Sequence, residues 1–135
     1  MKAFSGVAIA LLVGCHAGPE PISVGVDSCA RCGMLISDVR FAAEYLEGSR
    51  VAKFDSLDEL RDTAPKGATL YASDFATGGL VALSGMTLVV DPKLPIPMGG
   101  TTVAFATRQE AEGFAERHAA DGCRVVPAAE WLQGR

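Results

Sequence analysis

The chain is expected to be α+β, with two small related ββαβ-type halves packed together behind an N-terminal lipoprotein signal and tether. Three observations predict this. The 135 residues, 49% hydrophobic and 21% charged, allow one compact domain or two very small ones and argue against a long disordered protein. Two capping boxes, Ser56 to Glu59 and Thr107 to Glu110, recur at an offset of 51 residues, with Phe54 and Phe105 two positions ahead of them. Short strand-like runs bracket both boxes.

The elements follow in order. Met1 and Lys2 make a short positive start, residues 3–13 are apolar, and the run closes on Leu12-Val13-Gly14-Cys15. This run falls well short of the ~20 residues a spanning helix needs, so residues 1–14 read as a signal peptide. Its ending looks like a bacterial lipobox, which makes Cys15 the lipidated residue, held in a membrane by its acyl chains. Residues 15–26, with Gly18, Pro19, Pro21 and Gly25, read as a tether. The first half, residues 27–79, has strands over 41–46 and 51–54 around a turn at 47–50. A helix capped by Ser56 follows, stopped by Pro65-Lys66-Gly67, and then a strand over 68–75. The second half, residues 80–135, has strands over 80–83 and 87–90 around Ser84-Gly85, a Pro-rich loop over 92–100 and a strand over 101–106. A helix capped by Thr107 runs to about Asp121, a strand spans 123–126, and a last turn at 128–132 covers a core edge with Trp131.

Chemistry concentrates on sulfur. Cys29-Ala30-Arg31-Cys32-Gly33-Met34 places two thiols and a thioether within six residues, and Gly33 lets the backbone turn Cys32 and Met34 to one point. Thiolate and thioether together select Cu(I), since zinc prefers four thiolate or imidazole ligands and hard cations want oxygen. Met98, in the loop before Gly99-Gly100, is a second thioether able to complete the site. A zinc ribbon needs a second Cys-x-x-Cys pair, and only Cys123 remains, so zinc is a poor fit. Plainer roles stand beside these: gap-filling for Met34 and Met98, core packing for Met86, a small buried hydrophobe for Cys123, a structural disulfide for Cys29 and Cys32. His118 continues the apolar stripe of Ala111, Phe114 and Ala115, and is either a partly buried imidazole or a nitrogen ligand to copper. Asp55, Asp58, Glu59 and Asp62 read as the start and exposed face of the first helix.

Other function classes find little support. A net charge of -4 with scattered Lys and Arg gives no basic field for nucleic acid. No nucleophile, base and orienter set, phosphate-cradling loop or His-rich hydrolytic motif is present, so the chain is not expected to be an enzyme.

Taken together, the lipobox, the Cys-x-x-Cys-Gly-Met run at 29–34, Phe54-Asp55, Pro97-Met98-Gly99 and the helix ending Ala111 to His118 resemble the NosL family of copper-chaperone lipoproteins. The resemblance implies a periplasm-facing protein, lipid-anchored to a bacterial membrane and placed here on the outer one. It also implies that Cu(I) is held and passed to nitrous oxide reductase. Cys32 is then the central ligand, with Met34, Met98 and His118 as further candidates, beside the Cys29 that the spacing supplies. A homodimer is among the arrangements left open. Two rival functions use the same pair of cysteines: thiol-disulfide exchange, and a structural envelope lipoprotein stapled by a disulfide.

Overall fold

The computed structural model describes residues 18–118 and 122–134. The stretch read as a signal peptide, and Cys15 with it, lie outside the described residues. Among those described, no helix is long and apolar enough to cross a membrane. The described residues form seven strands and three α-helices, in the order β1 (Ala43–Glu47), β2 (Arg50–Phe54), α1 (Leu57–Thr63), β3 (Thr69–Ser73), β4 (Leu80–Ala82), β5 (Thr87–Val90), β6 (Thr102–Phe105), α2 (Arg108–Arg117), β7 (Arg124–Pro127) and α3 (Ala128–Leu132).

The repeat read from the capping boxes is a repeat of topology. In the first half β1 lies between β2 and β3, and in the second β5 lies between β6 and β7, all antiparallel. Ala43 faces Phe54 and Ala72, as Thr87 faces Phe105 and Pro127, so Phe54 and Phe105 are equivalent positions. Ser56 and Thr107 both accept from the amide three residues on, each relieving one of the unpaired donors of the first helical turn.

The halves share their interior. Along β5 the period of two sends Leu88 to a core with Phe54, Leu57, Leu60 and Leu83, and Val89 to a second core with Val103, Phe105 and Phe114. A parallel bridge between Asp74 and Ala104 joins the sheets, reinforced by the Ala106 amide donating to Asp74 Oδ1 at 3.1 Å. Trp131 is buried over the edge of the first core, as expected, with the Arg61 guanidinium 4.6 Å above its ring.

Three expectations are corrected. The runs at 80–83 and 87–90 do not pair: β4 joins β3 in the first sheet, and a 3-10 turn, Leu83–Gly85, separates it from β5. The cause is that Leu83 and Met86, at the two ends of this turn, are both drawn into the first core. β4 thus lies in the first sheet although it follows Gly79. Helix α2 ends at Arg117 rather than near Asp121, and His118 is already its C-cap, with φ -112 and ψ 13.

The third correction concerns the tether. Residues 18–26 are docked on the first sheet, because the cross-strand pair Glu44 and Lys53 offers them partners. The Glu20 amide donates to Glu44 Oε1 at 2.8 Å, and Lys53 Nζ donates to the Pro21 carbonyl and to Asp27, both at 2.9 Å. Glu44 is fully buried, and its Oε2 has no hydrogen-bond partner among the described residues. Burial pushes its carboxyl above the ordinary value, against the amide of Glu20 and the charge of Lys53. A folded-state pKa raised in this way leaves Glu44 harmless below about pH 4.5 and destabilising as pH rises through the folded value. Glu44→Gln is therefore expected to raise the melting temperature at neutral pH, with the gain vanishing at the acid end. A melting curve series against pH measures this, and a uniform loss across the range would contradict it.

Candidate metal centre

The site begins with a small hairpin at 25–36. Gly25 donates to the Ile36 carbonyl, Ile36 to Asp27 and Cys29 to Met34, which brings the two arms together. At the tip the Gly33 amide closes on the Cys29 carbonyl at 2.9 Å, and Gly33 carries the positive φ of 77 that this reversal needs. Ala30 donates to the Lys53 carbonyl at 2.8 Å, and Arg31 pairs with Asp62 at 3.0 Å, fixing the tip against the end of β2 and against α1.

The tip meets two carboxylates. Asp55 follows the last residue of β2 and Glu59 lies in the first turn of α1, so the corner from strand to helix carries both. Cys29 Sγ donates to Glu59 Oε2 at 2.9 Å, and Cys32 Sγ is 3.8 Å from Asp55 Oδ2. One ligand atom from each of Cys29, Cys32, Asp55 and Glu59 lies within 4.8 Å of all the others. Cys29, Asp55 and Glu59 are only 2, 3 and 8% exposed, while Cys32 is half-buried. Both cysteines are free thiols.

Electrostatics at the site favour protons in the absence of a cation. Burial pushes the Cys29 thiol up to about 12, even though backbone amides around it, Cys32 first, pull the other way. Glu59 is raised too, by burial and then by its hydrogen bond with Asp55. Metal binding releases such protons and supplies the missing positive charge.

Asp55 and Glu59 correct the sequence reading. Asp62 is exposed as expected, and Asp58 turns sideways to accept from the amides of Thr101 and Thr102 at 2.8 and 3.2 Å. Glu59, however, does not close the reciprocal half of the capping box: its carboxylate points to Cys29. The signal for the miss was in the repeat. The residue before the first N-cap is Asp55 and its counterpart before the second is Ala106, a difference that no cap explains.

Both thioether side chains are exposed. Met34 and Met98 are 57 and 55% exposed, against the burial that gap-filling would give. Met98 sits in the 3-10 turn Pro97–Gly99 with φ 56 and ψ 25, a left-handed conformation rare for a side chain of this kind. With Arg31, Glu59 and Gly100 it lines a cleft of about 470 Å³. Gly100 is required for that approach, since a Cβ there would lie 2.8 Å from Ile96 and 3.0 Å from Asp58.

His118 is placed elsewhere. Its ring stacks on Phe114 with centroids 4.3 Å apart, and its carbonyl accepts from Cys123 Sγ at 3.4 Å. It is not part of the group of four, and Cys123, partly buried against the second core, donates to Asp91 at 3.2 Å.

Comparison with known proteins gives two findings. The NosL family model matches residues 24–130. The crystal structure of the copper chaperone NosL from Shewanella denitrificans has the same fold, with a TM-score of 0.67 at 20% identity, covering 81% of this chain and 91% of that one. No curated protein matches the chain.

Proposed function

The chain belongs to the NosL family, and from that premise we propose that it binds copper as Cu(I) and hands it to a copper-accepting protein. The same premise makes it a carrier rather than an enzyme. One observation supports the reading above the others: a pair of free thiols brought together at a hairpin tip. Such donors suit Cu(I), whereas calcium or magnesium would need oxygen ligands in greater number. We assign Cys32 as the central ligand, with Cys29 below it and Met34 and Met98 as further ligands. His118, packed on Phe114, is the candidate that geometry favours least.

Transfer follows from exposure. A half-buried Cys32 and two exposed thioethers let an incoming ligand bind copper before the outgoing one leaves, so no catalytic base is needed. We further propose nitrous oxide reductase as the recipient, and lipid anchoring through Cys15 on the periplasmic side of the outer membrane as the location. Both are supported by the family resemblance and by the lipobox form of 12–15.

The test is an anaerobic Cu(I) titration of the reduced chain carrying Cys15→Ala, in competition with a chromophoric Cu(I) chelator. Tight one-to-one competition is expected, and copper staying with the chelator would end the reading. In the same assay Met98→Ala is expected to weaken binding about 10-fold, roughly 1.4 kcal/mol, as one of several soft ligands. Unchanged affinity would remove Met98 from the ligand set.

Thiol-disulfide exchange is less well supported. An attacking cysteine needs a lowered pKa, and the burial of Cys29 drives it the other way.

A further inference from the structure

We propose that the folded body lies directly on the lipid surface, with Val24, Val26 and Leu35 as its contact face, instead of swinging from the membrane on a free tether. The inference rests on the proposed acylation of Cys15 and is independent of copper binding.

The length of chain between anchor and body is the first support. Residues 18–26 have the composition of a linker, yet the Glu20 amide donates to Glu44 Oε1 at 2.8 Å and Lys53 Nζ to the Pro21 carbonyl at 2.9 Å. Docking extends back to Pro19, which lines a hollow of about 340 Å³ with Pro21, Ile22, Val39 and Leu80. From Cys15 to Pro19 there are four residue steps, which reach no more than about 14 Å when fully extended. The polar layer of a bilayer is itself roughly 5–8 Å deep on each side, so acyl chains in the hydrocarbon core hold Pro19 no more than about 10 Å outside the headgroups.

The second support is the surface found close to that point. Val24, Val26 and Leu35 are 47, 74 and 56% exposed, and Met34 and Met98 are the other large hydrophobic side chains exposed among the described residues. Val24 and Val26 flank Gly25 in a turn closed on the Ser23 carbonyl by the amides of Val26 and Asp27, at 3.1 and 2.9 Å. The Gly25 amide donates to the Ile36 carbonyl at 2.9 Å, which holds this turn against the arm that carries Leu35. Residues 18–26 carry a single charge, on Glu20, so little has to be desolvated as they approach lipid.

A protein partner is the weaker occupant of this face. Three aliphatic side chains fall far short of the roughly 1,200–2,000 Å² that a stable complex buries. Contact with the bilayer is different, because an anchored chain makes it intramolecularly, and a short tether gives it a high effective concentration. The hairpin at 25–36 is then held at a fixed height over the membrane.

The test uses the full acylated chain, with the modification of Cys15 confirmed by mass, in phosphatidylcholine nanodiscs that carry a Gd³⁺-chelate lipid at the headgroup level. Relaxation of the Val and Leu methyl signals is read site by site. The enhancement at Val24, Val26 and Leu35 should be at least about threefold larger than at Leu94 and Val125, which pack on the second core. Inserting about 12 Gly and Ser residues between Ala17 and Gly18, ahead of every docked residue, should shrink that contrast at least about twofold. Val26→Ser, at the most exposed of the three, should lower the effect at Val24 and Leu35 at least about twofold with the melting temperature unchanged. Enhancement of equal size at all these methyls, enhancement larger at Leu94 or Val125, or no effect of Val26→Ser on its neighbours overturns the proposal. A chain without acyl mass on Cys15 ends the anchoring reading and this inference with it, whereas an acylated chain that shows no contrast ends this inference alone.

Discussion

Cys32→Ser is expected to lower Cu(I) affinity by at least about 100-fold, which is roughly 2.7 kcal/mol, and Cys29→Ser by less. The asymmetry comes from placement. Cys32 is half-buried at the hairpin tip, the position from which a metal can be reached from solvent. Cys29 is almost wholly buried, with its thiol bound to Glu59 Oε2 and pushed up to about 12 by burial, so recruiting it costs a proton and a hydrogen bond. A serine hydroxyl at position 32 offers a hard, protonated donor that Cu(I) does not favour. Competition against a chromophoric chelator reads both variants in one experiment, with near-ultraviolet circular dichroism to confirm that each still folds. Equal and unaltered affinities would remove the copper site from this hairpin. Equal large losses would instead make the two thiols joint ligands and remove the asymmetry.

Local signals carried much of this architecture. The capping boxes at Ser56 and Thr107 start helices where expected, and the equivalence of Phe54 and Phe105 is a true equivalence of register. What local signals missed was decided by tertiary partners. Residues 18–26 have the composition of a linker, yet the buried Glu44 and the ammonium of Lys53 bind their backbone. The run at 80–83 looks like half of a hairpin until Leu83 and Met86 are seen to share the core of the first sheet. Of the four side chains that converge at the candidate centre, Cys29 and Cys32 were legible because sulfur is chemically conspicuous and closely spaced. Asp55 and Glu59 were hidden by their own good sense as helix-start residues: a carboxylate in a first turn has a sufficient local reason, and its second partner is some thirty residues away. His118 kept two readings in the sequence, and its place on the apolar stripe of α2 is the one its stacking on Phe114 matches.

Phe54→Ala is expected to cost about 3–5 kcal/mol of stability, lowering the melting temperature by roughly 10–20 °C for a domain of this size. Phe54 is fully buried, lies in the first core beside Leu57 and Leu60, and its ring centre is 5.8 Å from that of Tyr45. Removing the ring leaves a cavity that the end of a short strand, tied to the hairpin tip by the Ala30 amide on the Lys53 carbonyl, can close only in part. Against a total stability of about 5–15 kcal/mol such a loss is a large fraction. Phe105→Ala supplies the internal control, since its ring occupies the equivalent register position and is also buried. It should cost a similar amount, but with a different consequence. Phe54 follows Lys53, whose carbonyl holds the hairpin tip through the Ala30 amide, so its loss should loosen the tip that carries Cys29 and Cys32 and weaken Cu(I) binding at temperatures where the chain is still folded. Phe105 precedes Ala106 and Thr107, which hold no metal ligand, and its loss should leave metal affinity unchanged at the same temperatures. Denaturant melts and metal titrations of both variants separate the two effects. A loss of less than about 1 kcal/mol in Phe54→Ala would deny the residue its place in the core, and equal effects of the two substitutions on metal affinity would deny that the strand end positions the site.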